Sequence, residues 1–259
     1  MNDMISLQGK TFVVMGVANF RSIAWGIAQS LHSAGANLIF TYANERLEKG
    51  VRELADSLEN PNNLLVQCDV TSDEDLAKCF ASIKEQVGTI HGVAHCIAFA
   101  NKEDLKGDFV DTSRDGYLLS QNISAYSLVG VAREAKPLMV EGGSIVTLTY
   151  LGGERVMQNY NLMGVSKAAL EASVRYLAND LGKYNIRVNS ISAGPIRTLS
   201  AKGVGDFNTI LKEIEEKAPL RRNVTQEEVG DSALFLFSDL ARGITGENIH
   251  VDSGYHIMG

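Results

Sequence analysis

A tyrosine and a lysine, Tyr160 and Lys167, frame the segment Y-N-L-M-G-V-S-K. Seven helical steps of about 100° nearly complete two turns, so the two side chains can share one helix face, roughly 10 Å apart along the axis. A tyrosine is protonated at neutral pH and can donate a hydrogen bond to a developing oxyanion, while a lysine can bind ribose hydroxyls. The alternative is a surface lysine and an interfacial tyrosine without a ligand.

A possible phosphate site lies in G-V-A-N-F-R-S-I-A-W-G, which begins at Gly16 and follows a short apolar run. Gly16 permits a sharp turn, Ser22 can cap the helix or bind a phosphate, and the free N–H groups of a helix start attract an anion. Gly26 would let the helix approach the sheet closely. The segment is not G-x-G-x-x-G, and a glycine turn without any ligand remains open.

Asp69 follows another apolar run and could accept a hydrogen bond from an adenine amino group. A turn or helix-cap role is the alternative for this carboxylate. After the run that ends at Tyr42, the sequence has neither an immediate acid for a ribose hydroxyl nor two adjacent basic residues for a 2′-phosphate. We therefore favour NADH over NADPH, with Arg46 keeping NADPH open.

Short apolar runs alternate with amphipathic stretches along the chain. The predicted strands are Thr11–Met15, Asn37–Tyr42, Leu64–Cys68, Gly92–Ala98, Ser144–Tyr150, Ile186–Ser192 and Asn248–Val251. The predicted helices are Ser22–Ala34, Glu45–Leu58, Ser72–Gln86 with Ser72 as N-cap, Tyr117–Met139, Leu162–Asn179 and Thr225–Phe237 with a capping box at Thr225–Glu228. The pattern predicts one α/β domain over residues 1–259, a Rossmann-type doubly wound parallel sheet with helices on both faces.

The composition narrows the class of protein. Of 259 residues, 45% are hydrophobic and 21% charged, which is typical of a globular domain, and the net charge of −7 argues against a nucleic-acid partner. The three cysteines form no C-x-x-C pair, and His91 and His95 lack a third ligand, so we expect neither a disulfide framework nor a metal. Without a signal-peptide pattern or a long apolar run, we expect a cytoplasmic protein that does not insert into a membrane.

Five segments together closely resemble the bacterial NADH-dependent enoyl-[acyl-carrier-protein] reductases, a divergent family of short-chain dehydrogenases/reductases. They are GVANFRSIAWGIA, HCIAFA, TYLGGERVMQNYNLMGVSKA, SISAGPIRTLSAKG and GITGENIHVDSG, spread from Gly16 to Gly254. Many reductases of this fold use Y-x-x-x-K, but no tyrosine of this chain has a lysine four residues on. That absence counts against a ketoacyl or sugar-nucleotide reductase, and the intact Tyr/Lys pair counts against a non-catalytic nucleotide sensor.

The resemblance implies a site as well as an activity, the reduction of the trans-2 double bond of an enoyl thioester carried by acyl carrier protein in type II fatty acid synthesis. It implies a homotetramer. The implied catalytic residues are Tyr160, Tyr150 and Lys167. The implied cofactor-binding residues are Gly16, Ser22, Ile23, Ala43, Asp69, Val70, Ile97, Lys167, Ile196, Arg197, Thr198, Leu199 and Ser200, and the implied substrate-binding residues are Ala100, Tyr150, Tyr160 and Phe207.

The stretch Gly194–Leu220 interrupts the alternation and is too long for a simple loop between a strand and a helix. It is apolar enough to be a lid over an acyl chain, and the alternative is an ordinary amphipathic helix docked on the core. An acidic carrier protein would need a local basic patch on this acidic chain. Arg197, Lys202 and Lys212 are the candidates for that patch, with ordinary solvated side chains as the alternative.

Overall fold

A computed structural model of the chain describes residues 5–198 and 205–259. Its apolar runs form seven parallel strands, because runs that are apolar throughout can be covered on both faces. The strands are β1 Thr11–Met15, β2 Asn37–Tyr42, β3 Leu64–Gln67, β4 Gly92–His95, β5 Gly143–Thr149, β6 Ile186–Ala193 and β7 Asn248–Val251.

The strand order is β3-β2-β1-β4-β5-β6-β7, and every neighbouring pair is parallel. The chain winds outward from β1 in one direction and from β4 in the other, so the crevice of a doubly wound sheet opens between the carboxyl ends of β1 and β4. The predicted fold class is confirmed.

Eight α-helices belong to the described part of the chain. They are α1 Ile23–Ser33, α2 Glu45–Asp56, α3 Asp73–Val87, α4 Arg114–Gln121, α5 Ser127–Ala135, α6 Asn161–Gly182, α7 Phe207–Lys217 and α8 Gln226–Phe237. Ser72 caps α3 by accepting a hydrogen bond from the Asp75 N–H, and Thr225 and Glu228 form the capping box of α8, as predicted. None of the described helices combines the length and the apolarity that crossing a membrane requires.

Most elements agree with their predicted bounds to within three residues, and two differences concern the segments around the crevice. The single helix predicted over Tyr117–Met139 is divided into α4 and α5 by a π-helical turn, Asn122–Tyr126, within which the Ser124 hydroxyl donates to the Phe99 carbonyl and accepts from the Phe99 N–H. Strand β4 stops at His95, three residues before the predicted end at Ala98. Its partner β1 ends opposite it at Met15, so the chain beyond has no parallel neighbour on that side.

The core lies on both faces of the sheet, because successive strand side chains point to opposite sides. Val13 and Met15 of β1 pack in one hydrophobic cluster, and Phe12 and Val14 in the other. The predicted lid contains α7, whose Leu211 and Ile214 are buried. That burial fits a docked amphipathic helix, and the extent of the single domain and its lid stays a prediction.

Candidate active site

The turn after β1 is built for a close backbone approach. Gly16 has a φ of +97°, and a Cβ at this position would collide with the backbone carbonyl oxygen of Cys96, which follows β4. Only glycine combines this conformation with that contact. The turn therefore leaves open the crevice where a ligand backbone would lie.

Ser22 precedes α1 but does not cap it. Its hydroxyl oxygen accepts the N–H groups of Ala18 at 3.0 Å and Asn19 at 3.1 Å, within the loop that leads to the helix. The prediction that the Ser22 side chain caps α1 is therefore wrong. The buried side chain instead fixes the shape of the loop, and α1 begins at Ile23 with no acidic residue in its first turn, which keeps its positive end available to an anion.

Gly26 packs against another helix rather than against the sheet. A Cβ on Gly26 would lie 2.5 Å from Cγ of Gln226, the first residue of α8, and a Cβ on Gly230 would lie 2.5 Å from the Gly26 carbonyl oxygen. The predicted contact between Gly26 and the sheet is therefore wrong. The close approach also lets Gln226 Nε2 donate to the carbonyl oxygens of Ser22 at 2.7 Å and Phe20 at 3.2 Å.

The carboxyl ends of β2 and β3 carry the residues implied to bind adenosine. Ala43 and Arg46 are exposed at the start of α2, and Val70 is buried beside half-buried Asp69. Asp69 Oδ1 accepts hydrogen bonds from the backbone N–H and the hydroxyl group of Thr71. The turn role that the sequence left open is thus present, and a contact with adenine remains a prediction.

Tyr150 and Tyr160 lie side by side at the end of β5. Their ring centroids are 4.9 Å apart, with the planes at 73°, and Tyr160 occupies the N-cap position of α6. Burial raises the pKa of Tyr150 to about 12, and burial, with Tyr150 and then Glu171, raises the pKa of Tyr160 above its usual range. Both phenols are therefore protonated at neutral pH and able to donate a hydrogen bond.

Lys167 lies two turns into α6 and is buried. Its Nζ donates to the Leu148 carbonyl oxygen at 2.8 Å, near the carboxyl end of β5. Burial lowers the pKa of Lys167 to about 8, against the opposing effects of Cys96 and Glu171. The lysine is thus no solvated surface residue, and a buried ammonium next to the strand ends suits the recognition of hydroxyl groups.

His95 is a site residue that sequence reasoning assigned no role. Its Nδ1 lies 2.9 Å from Thr147 Oγ1 and its Nε2 lies 2.8 Å from Ser127 Oγ, while burial and then Lys167 lower its pKa to about 3. The neutral ring has one N–H, which it donates to one of the two hydroxyl oxygens, and the Thr147 and Ser127 hydroxyls have the carbonyl oxygens of His95 and Ile123 as acceptors. The network joins β4, β5 and α5. No local sequence pattern predicts it.

The remaining implied residues lie on both sides of the crevice. Ile97 and Ala100 are half-buried after β4, and Phe207 is half-buried at the start of α7. A cavity of about 250 Å³ separates Pro195–Arg197 from α7, and the Arg197 guanidinium donates to Asn208 Oδ1 at 2.6 Å across its edge. Thr198 donates its N–H to the Ile196 carbonyl, while Leu199, Ser200 and Lys202 lie outside the described residues.

The described residues contain no group of histidine, cysteine and acidic side chains that could hold a metal ion. His91 Nδ1 accepts the Thr11 N–H instead, and Lys212 of the proposed basic patch pairs with Glu216. The carboxyl ends of the strands thus unite the implied phosphate turn, the two tyrosines and the lysine at one edge of the sheet.

Known proteins resemble this chain over nearly its whole length. The family model described as Enoyl-(Acyl carrier protein) reductase matches residues 16–256. The Bacillus cereus enoyl-[acyl-carrier-protein] reductase [NADH] is 78% identical over 98% of this chain and 99% of its own, and the Staphylococcus aureus (strain MRSA252) enoyl-[acyl-carrier-protein] reductase [NADPH] is 63% identical over 98% and 100%.

A crystal structure of the Bacillus cereus enoyl-acyl carrier protein reductase with NADP+ and an indole naphthyridinone superposes with a TM-score of 0.97, at 78% identity, over 98% of both chains. A match of this length and identity extends far beyond a shared fold, because it covers 98% of both chains at 78% identity. The chain therefore belongs to the enoyl-(acyl-carrier-protein) reductase family.

Proposed function

We propose that this protein reduces the trans-2 double bond of an enoyl thioester carried by acyl carrier protein, with NADH as the hydride donor, in the elongation cycle of type II fatty acid synthesis. The observation that carries the proposal is the position of Tyr160, a protonated phenol packed edge to face on Tyr150 at the start of α6, the helix that also carries buried Lys167.

The residues present fit a nicotinamide dinucleotide. The Gly16 turn is a cradle that a Cβ would fill, and the start of α1 offers N–H groups to a pyrophosphate. Lys167 would hold the ribose hydroxyls of the nicotinamide half, with Ile97 and Ile196–Ser200 along the ring and Asp69 and Val70 at the adenine. When bound, the dinucleotide supplies a hydride to the β-carbon of the enoyl group.

The chain itself supplies stabilisation of negative charge. As the β-carbon is reduced, charge develops on the thioester oxygen, and the Tyr160 hydroxyl donates a hydrogen bond to it. Tyr150 supports the Tyr160 ring through their edge-to-face contact. A proton from solvent or a relay then reaches the α-carbon.

The choice of NADH follows from the exposed start of α2. Ala43 places no polar group there, and Arg46 is the single basic residue of Tyr42–Arg46. The very similar Bacillus cereus reductase is named for NADH, whereas the Staphylococcus aureus protein is named for NADPH. We assign NADH as the preferred cofactor and NADPH as the weaker one.

The substrate-binding side comprises Ala100, Tyr150, Tyr160 and Phe207, with α7 as the lid over the acyl chain. Arg197 at the cavity edge, with Lys202 and Lys212, is proposed to meet the acidic carrier protein. The exposed apolar side chains Val110, Leu118 and Tyr126 suit self-association, and we propose a homotetramer in the cytoplasm.

One assay tests the activity. Crotonyl thioester is supplied with NADH and with NADPH in parallel, and the loss of absorbance at 340 nm is followed. We expect rapid oxidation of NADH and slower oxidation of NADPH. A ketoacyl thioester serves as the control substrate; faster turnover of the ketoacyl thioester would indicate a ketoacyl reductase, and no turnover of either would indicate a nucleotide sensor.

A further inference from the structure

Glu171 is a buried carboxyl group to which the proposed mechanism gives no role. It lies one turn beyond Lys167 on α6 and is only 7% exposed. Within residues 5–198 and 205–259, no lysine, arginine or histidine forms an ion pair with it. An acidic group buried without a cationic partner is costly to keep, and such groups concentrate at functional sites.

The carboxyl group binds the end of β5. The Thr149 hydroxyl donates to Glu171 Oε1 at 2.5 Å, and Thr149 is itself buried. Thr149 is the last residue of β5, and the next residue is Tyr150. The hydrogen bond therefore fixes to α6 the point from which the Tyr150 side chain departs.

Glu171 also contacts the turn that supports Tyr160. A Cβ on Gly153 would lie 2.5 Å from Glu171 Oε1, and a Cβ on Gly152 would collide with the Tyr160 ring. The Gly153 N–H in turn donates to the Tyr150 carbonyl oxygen at 2.8 Å. The short turn Leu151–Gly153 is thus enclosed between Glu171 on one side and the Tyr160 ring on the other.

The surroundings of the Glu171 carboxyl group shift its pKa in both directions. Burial raises the pKa of Glu171, Thr149 opposes that effect by hydrogen bonding, Glu154 adds to it, and Arg175 and His250 oppose it. The negative charge of Glu171 in turn raises the pKa values of Lys167 and Tyr160. A glutamine at this position keeps an oxygen that can accept the Thr149 hydroxyl.

We infer that Glu171 is a positioning residue, which holds Tyr150 and Tyr160 in their edge-to-face pair through Thr149 and the Leu151–Gly153 turn. The inference rests on the proposed reduction of an enoyl thioester. It assigns Glu171 no contact with the substrate or the cofactor. Misplacing an oxyanion donor by about 1 Å slows the chemical step, while the proposed pyrophosphate and adenine contacts at the ends of β1 and β3 are left in place.

The test compares Glu171→Ala with Glu171→Gln, and Thr149→Val with Thr149→Ser, in the full-length chain. We expect Glu171→Ala and Thr149→Val to lower kcat on crotonyl thioester about 10-fold or more, with the Kd for NADH within about twofold of wild type. We expect Glu171→Gln and Thr149→Ser to keep kcat within about threefold of the wild-type value, because each variant keeps the hydrogen bond between positions 149 and 171. Asp180→Ala removes an exposed acid from the same helix and serves as the control, with unchanged kcat.

The double variant Thr149→Val/Glu171→Ala completes the cycle. If the two residues act through one hydrogen bond, its loss of kcat equals that of either single variant rather than their product. The inference is overturned if Glu171→Ala keeps full kcat while only the melting temperature falls, if the two losses multiply, or if the Kd for NADH rises in parallel with the loss of kcat. An inactive wild-type enzyme would instead refute the proposed function.

Discussion

The Tyr160 ring meets the Tyr150 ring edge to face, with 4.9 Å between the centroids, at the point where α6 begins. Asn159 and Asn161 on either side of Tyr160 both have positive φ, at 61° and 30°. Backbone of this kind persists only where the surrounding structure enforces it, and it is common at active sites. The backbone on both sides of Tyr160 is thus strained, at the point where the Tyr160 phenol is positioned.

Replacing Tyr160 by phenylalanine removes the hydroxyl and keeps the ring against Tyr150. Loss of an oxyanion donor costs about 2.7–4 kcal/mol, so kcat should fall roughly 10²–10³-fold, with NADH affinity nearly unchanged. Steady-state kinetics and an NADH fluorescence titration measure the two quantities. The exposed Tyr176→Phe is the control, and near-normal kcat in Tyr160→Phe would remove Tyr160 from the mechanism.

Replacing Lys167 by methionine should weaken NADH binding and stabilise the fold. The pKa of Lys167 is lowered from 10.5 to about 8, so at pH 7 its buried charge costs roughly 3 kcal/mol. Against this stands about 1 kcal/mol for the lost hydrogen bond to Leu148. We expect a net rise of about 2 kcal/mol in the free energy of unfolding of the cofactor-free variant at pH 7.

The sign of the pH dependence follows from the same shift. Between pH 8 and 10.5 the unfolded chain binds more protons at Lys167 than the folded chain, so wild-type stability gains from this group as pH rises. The advantage of Lys167→Met should therefore shrink between pH 7 and pH 9.5 in urea unfolding. The exposed Lys84→Met is the control; a Lys167→Met protein less stable than wild type at pH 7 would contradict the argument.

Two glycines with positive φ allow a matched test of the crevice turn. Gly88→Ala enters open space at a φ of +73° and should cost about 1–3 kcal/mol of backbone strain. Gly16→Ala adds a collision with the Cys96 carbonyl, which should cost about 1–3 kcal/mol more and abolish NADH binding. Urea unfolding and an NADH titration compare the two variants, and equal losses of stability would mean that the Cys96 contact is unimportant.

Gln226, on α8, supports the loop between β1 and α1 by two hydrogen bonds to the carbonyl oxygens of Phe20 and Ser22. Gln226→Ala should raise the Kd for NADH about 5-fold or more, because two lost hydrogen bonds at about 0.5–1.5 kcal/mol each total about 1–3 kcal/mol. The kcat at saturating NADH should not change. The neighbouring exposed Glu227→Ala should bind NADH normally, and equal affinity in both variants would exclude a role for Gln226.

The sequence predicts the sheet well, because an apolar run is a local signal. Strands β1, β2 and β7 begin and end at the predicted residues. Gly16, Tyr150 and Tyr160 lie at the ends of their elements, and Lys167 lies two turns into α6. Whether each implied residue contacts cofactor or substrate stays a prediction.

What the sequence could not predict depends on partners far away in the chain. The hydrogen bond between Thr149 and Glu171 spans 22 residues, that between His95 and Thr147 spans 52, and that between Ser22 and Gln226 spans 204. The role of Ser22 in its own loop and the π-helical turn before α5 depend on side chains that can bind several backbone groups with similar energy. No residue pattern within these segments selects one of the alternatives.

The contact between α1 and α8 joins a helix near the start of the chain to a helix near its end. During synthesis the amino-terminal strands emerge first. The Ser22 carbonyl oxygen, however, receives its hydrogen bond from Gln226 only after α8 has been made. Until almost all of it has left the ribosome, a nascent chain therefore lacks these two hydrogen bonds to its Phe20–Ser22 loop. A chain that ends before α8 would lack this support for the loop before α1, and we expect it to bind the dinucleotide more weakly than the full-length chain.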